Sequence, residues 1–128
     1  MKPILCLDFD GVIHSYESGW KGAGIIPDPP VPGAIAFLRK AVEHFYVVIF
    51  SSRSNQPGGW EAMRDWLDLR VAQDDPSVLL AEEPWHHAIG WPTAKPPALV
   101  TIDDRAITFT GEWPTIEALK EFKPWNKR

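Results

Sequence analysis

Two pairs of aspartates stand directly after apolar runs. Asp8 and Asp10 flank Phe9 at the end of Ile4–Leu7, and Asp103-Asp104 follow Ala98–Ile102. Between them, Ser51, Ser52 and Arg53 close a third apolar run, Tyr46–Phe50, and Lys95 lies eight residues before the second acidic pair. Four carboxylates gathered at one place repel one another, and such a group persists where a cation holds it. Donors that are all oxygen suit Mg²⁺, which keeps waters and takes one or two carboxylates together with a phosphate. A lysine and a serine hydroxyl nearby supply a positive charge and a hydrogen bond for phosphoryl oxygens.

These residues are far apart in sequence, so the chain must bring them together. The apolar runs read as strands buried on both faces. Helical spacing of Ala34, Ile35, Phe37, Leu38, Ala41, Val42 and Phe45 predicts a helix over about 32–44. A second helix is expected over 59–69 and a last one over 114–122. Ser77–Ala81 and Ile107–Phe109 read as further short strands. Strands alternating with helices predict an α/β domain over residues 1–128, a doubly wound parallel sheet with helices on both faces. Ligands of open parallel sheets bind outside the carboxyl ends of the strands. Asp8, Ser51 and Asp103 are all strand-end residues, so one site would collect them.

Composition narrows the class of partner. The chain has 128 residues, 45% of them hydrophobic, and a net charge of −4, values of an ordinary globular domain. The negative charge weighs against nucleic acid, which wants a basic face. No run approaches the ~20 apolar residues that a bilayer span needs. The single cysteine, Cys6, excludes a disulfide within the chain and suits a reducing, cytoplasmic setting. The chain carries 13 prolines, about twice the usual share, and they cluster in stiff loops.

Asp8-Phe9-Asp10-Gly11-Val12 after an N-terminal strand resembles the first motif of the haloacid dehalogenase-like (HAD) phosphatases. Ser51 looks like their second motif, Lys95 their third and Asp103-Asp104 their fourth, all in order across residues 4–104. The resemblance implies that Asp8 attacks phosphorus to form an aspartyl-phosphate. Asp10 would act as general acid and then base. Mg²⁺ would be held by Asp8, Asp103 and the Asp10 backbone carbonyl. Ser51 (or its neighbour Ser52) and Lys95 would hold phosphate oxygens, and Asp104 would orient Lys95 or reach the metal through water. A second aspartate in the first motif goes with phosphoryl transfer, because expelling an alkoxide needs an acid. The implied activity is hydrolysis of a phosphomonoester, with phosphotransfer on the same core as the alternative.

The resemblance also implies where a cap domain would be inserted. Residues 12–31 suffice there for a flap, and much of 52–94 is needed for the sheet's own helix and strand. A capless core follows, open to a large phosphorylated substrate or to cover by a partner subunit. A phospho-accepting receiver domain shares the length and the fold class, but it places its acidic pair at the first strand and its phosphorylated aspartate mid-chain. A calcium loop is excluded because Gly11 follows Asp10 at once and Gly19 stands where a glutamate ligand is needed. Arg53 reads equally as a phosphate ligand and as a solvent-facing side chain. His86 and His87 are adjacent, and adjacent side chains diverge in most backbones; with no Cys or further His at metal spacing, a zinc site is not expected. Trp20, Trp85 and Trp91 lie in irregular loops open to the expected site, and core packing is the safer reading for any one of them.

Overall fold

A computed structural model describes residues 1–128. The apolar runs become three parallel strands: β1 (Ile4–Leu7), β2 (Tyr46–Ile49) and β3 (Val100–Ile102). The order is β2-β1-β3, so the strand that leads into Asp8 is central. Leu5 aligns with Val47 on one side and with Val100 on the other, and Leu7 with Ile49 and Ile102. Gly90 adds one bridge at the outer edge of β2, accepting from the Ile49 N–H at 3.0 Å and donating to the Val47 carbonyl at 2.9 Å.

Two helices are built from the expected amphipathic stretches. α1 (Ala34–Ala41) begins after Gly33, whose φ of 86° suits glycine. Arg39 and Lys40 in its last turn complement the helix dipole. α2 (Gly59–Asp74) buries Met63, Trp66, Leu67 and Val71. Its start passes so close to the Arg53 backbone that a Cβ at Gly59 would overlap the Arg53 carbonyl. α2 runs five residues beyond the expected end and stops at Asp75, where the following proline disfavours helical backbone.

Both helices pack into one core with Leu5, Leu7, Phe9, Val47 and Ile49, so they share one face of the sheet. Cys6 and Val48 alternate to the opposite side and are also buried. There the chain has a loop in place of a helix. Residues 91–98 carry it from Gly90, beside β2, to β3, beyond β1, and the Lys95 charge is felt at Cys6. The observed fold is therefore an α/β fold with a three-stranded parallel sheet and three helices.

Two expected strands are absent, each for a local reason. Residues 76–80 form a 3₁₀ turn: Asp75 caps it, accepting from the Ser77 N–H at 3.1 Å and the Ser77 hydroxyl at 2.7 Å. An Asp-Pro-Ser start is capping chemistry, and it overrides the apolar pattern of Val78-Leu79-Leu80. Ile107–Phe109 pairs with nothing and is exposed. α3 (Ile116–Lys120) is shorter than expected and is capped by Thr115, whose hydroxyl accepts from the Ala118 N–H. It buries none of its residues. No helix is long and apolar enough to cross a membrane.

Candidate active site

The parallel register places Asp8, Ser51 and Asp103 at one edge of the sheet. The Asp8 N–H donates to the Ile102 carbonyl at 2.9 Å, and the Phe50 N–H to the Leu7 carbonyl at 3.1 Å, so all three chain exits leave at the same level. A cleft of about 330 Å³ opens there. Asp8, Asp10, Ser52, Asp103 and Asp104 line it, with Tyr16, Trp20 and Arg105.

Asp8, Asp103 and Asp104 each bring a carboxylate oxygen within 4.8 Å of the others. None of the three forms a salt bridge. Asp8 is largely withdrawn from water, and that burial, with the charge of Asp103 and the adjoining Asp104 carboxyl, raises its pKa to about 8. Burial likewise raises Asp104, helped by the Asp103 charge. The Asp104 Oδ1 atom is buried without a hydrogen-bond partner. Gly11, with φ of 82°, passes directly over this carboxylate, and a Cβ at Gly11 would overlap it. The donor set is all oxygen and close-set, and no protein cation is salt-bridged to it, although the charge of Arg105 is felt at Asp104. Those properties fit a divalent cation of the Mg²⁺ type.

Asp10 has opposite surroundings. Arg53 Nε donates to its Oδ2 at 2.9 Å, and His14 Nδ1 lies 2.9 Å from its Oδ1. The Asp28 N–H donates to His14 Nε2 at 3.1 Å. That nitrogen is therefore an acceptor, and the ring proton sits on Nδ1, where it donates to Asp10. Phe9 stacks on the His14 ring at 5.5 Å and Trp66 meets it edge-on. Asp28 is held in turn by Ser18, whose hydroxyl and N–H donate at 2.6 and 2.7 Å and keep its carboxyl below the usual range.

Arg53 is fully buried. Its Nη1 donates to the carbonyls of Gly22, Ala23 and Ile25 at 2.8, 2.9 and 3.2 Å, and Trp20 lies over its guanidinium at 4.7 Å. One arginine thus ties the 12–31 segment to the carboxylate. This segment carries Tyr16 and Trp20 to the cleft wall, and Tyr16 takes a φ of 61°, rare for a bulky residue. From the other end of the chain, the Trp125 indole N–H donates to the Gly11 carbonyl at 2.8 Å.

The two serines separate. Ser51 is buried: its Oγ accepts from the Arg53 N–H at 3.0 Å and donates toward Met63 Sδ at 3.4 Å, while its own N–H donates to Ser54 Oγ. Ser51 therefore shapes the turn, and Ser52 is the hydroxyl that lines the cleft. This reverses the preference for Ser51 as the residue facing phosphate. Lys95 is exposed, forms neither a hydrogen bond nor a salt bridge, and is not among the lining residues. Its charge is felt at Cys6, as are those of Asp8 and Asp103. The lining cation is instead Arg105. His14 also escaped the sequence reading; its one signal was the Asp10–His14 spacing inside a glycine-bounded loop. Of the loop tryptophans, Trp20 borders the cleft, whereas Trp85 and Trp91 do not. No protein-family model, curated protein or solved structure matches this chain.

Proposed function

We propose that the protein is a Mg²⁺-dependent phosphomonoester hydrolase that works through an aspartyl-phosphate on Asp8. One observation carries the reading: Asp8 ends the central strand with its carboxylate among those of Asp103 and Asp104 and with no protein cation to pair it. On this reading the three-stranded sheet is a reduced, capless HAD-type core, and its missing second helical layer is replaced by the loop 91–98. The setting proposed is cytoplasmic, and the open cleft admits a phosphorylated substrate of large size or one covered by a second subunit.

Asp8, Asp103 and Asp104, with the Asp10 carbonyl, would hold the ion. When bound, it neutralises the carboxylates and the substrate phosphate and aligns the two. An Asp8 oxygen attacks phosphorus as the ester P–O bond breaks, and the departing oxygen takes a proton from Asp10. Water then attacks the same phosphorus and gives its proton back to Asp10, releasing phosphate and free Asp8. Arg53 and His14 fix the Asp10 carboxyl from behind, each occupying one oxygen and leaving each oxygen a further lone pair. Ser52 and Arg105 are the cleft groups suited to phosphate oxygens.

Hydrolysis of an aryl phosphate by the native protein and by Asp8→Asn, each with Mg²⁺ and with chelator, tests the reading. Turnover that needs Mg²⁺ and disappears in Asp8→Asn is the expected result. Equal activity of the two proteins would exclude the mechanism, and a stable phosphoryl group on Asp8 without turnover would favour a receiver-like role.

A further inference from the structure

Asp68, in the second half of α2, faces a short 3₁₀ turn, Trp85–Ala88, that carries His86 and His87. Asp68 Oδ1 lies 3.2 Å from His86 Nε2, and one donor atom from each of the three residues falls within 4.8 Å of the others. The two imidazoles do not diverge, contrary to the expectation for adjacent side chains. The 3₁₀ turn brings their ring centroids to 4.7 Å at an interplanar angle of 68°, and a ring nitrogen of each lies within 4.8 Å of the other. His86 is only 7% exposed, and its Nδ1 is buried with no hydrogen-bond partner.

We propose that Asp68, His86 and His87 form a binding site for a zinc-class divalent cation, with a fourth position left open to solvent. Two ligand atoms on one tetrahedral ion with bonds of about 2.0–2.1 Å stand roughly 3.3 Å apart. The Asp68–His86 separation of 3.2 Å has that value before any ion is placed. Two imidazoles and one carboxylate favour Zn²⁺ over Mg²⁺, which prefers oxygen. The ligands open on a cleft of about 380 Å³ walled by Trp60, Trp91 and Ile89, which gives an entry path. Arg64 also lines this cleft; it stacks over Trp60 at 5.0 Å and donates to Asp65, which draws its charge aside. No residue is shared between this cleft and the one at Asp8. An ion here would clip the 85–88 turn to α2 and so fix the start of the loop that crosses behind the sheet.

The test is competition for Zn²⁺ between the full chain and a chromogenic chelator, with millimolar Mg²⁺ present. One equivalent is expected to bind in the native protein and equally in Asp8→Asn/Asp103→Asn. His87→Ala and Asp68→Asn, both at exposed or half-exposed side chains, are expected to weaken binding by roughly 100-fold or more. Zn²⁺ should also raise the melting temperature of the native chain and leave that of His87→Ala unmoved. Zn²⁺ binding retained in both variants, or lost in Asp8→Asn/Asp103→Asn, would overturn the assignment.

Discussion

Asp8 and Asp10 share one cleft and are separated only by Phe9, yet their neighbours are opposite in kind. Asp10 is held by the guanidinium of a fully buried arginine and by a histidine whose tautomer is fixed from behind. Asp8 meets two further carboxylates and forms no salt bridge, and its pKa rises to about 8. The chain thus supplies its own counter-charge to the carboxylate proposed to exchange a proton, Asp10. Where it gathers carboxylates without a salt bridge, folding is opposed, and the compensation comes from a retained proton or from a bound cation. That contrast separates the carboxylate proposed to carry the proton from the one proposed to bond phosphorus, and it can be broken from either side.

The largest effect is expected on activity. Asp8→Asn keeps the shape and removes the nucleophile, so steady-state hydrolysis should fall by about 10⁴-fold or more. The same substitution removes a buried acid that must hold a proton to stay neutral, and it should raise the metal-free melting temperature at neutral pH. On the other side, Arg53→Met should unfold the protein more readily by about 3 kcal/mol or more in urea titration, since it strips Asp10 of its partner and frees the 22–25 carbonyls. An Arg53 variant as stable as the native chain would remove the contrast.

Stability of the metal-free protein should depend on pH through Asp8. Its native pKa is raised from 3.8 to about 8. Between those values the native state keeps a proton that the unfolded chain has released. Stability is therefore greatest at the acid end of this window and declines as pH rises through it. Mg²⁺ should reverse the decline, and Asp8→Asn should flatten it; urea midpoints across pH 4–8 would show both.

Gly11→Ala is expected to cost about 1–2 kcal/mol, from a left-handed φ and overlap with the Asp104 carboxylate. It should also weaken Mg²⁺ activation. The smallest pair divides the serines. Ser51→Ala should lower stability by about 1 kcal/mol with little change in KM, whereas Ser52→Ala should raise KM several-fold at unchanged stability. The opposite pattern would return Ser51 to the cleft.

The positions of Asp8 and Asp103 were legible because continuous apolar runs announce buried parallel strands, and chain order alone brings their carboxyl ends together. What lay in turns was not. The Ser51 hydroxyl is turned inward by the Arg53 N–H and by Met63, twelve residues on in α2, and the serine pair alone does not encode that contact. Burial of Arg53 depends on three carbonyls some thirty residues earlier in the chain. The strand expected at 77–81 failed because Asp75 and Pro76 dictate a capped turn. Asp68 joins His86 and His87 only through tertiary packing, so spacing could not find it. The same holds for α3, where a correct helical pattern in sequence met no partner to bury its face.

The central claim is that phosphorus bonds to Asp8 during turnover. Acid-quenching the native protein with an aryl phosphate and Mg²⁺, followed by peptide mass analysis, measures this directly. A phosphoryl mass on the peptide spanning Asp8, labile to hydroxylamine and missing in Asp8→Asn, is the predicted result. Turnover accompanied by a phosphoryl group on another residue, such as Ser52 or His14, would contradict the account.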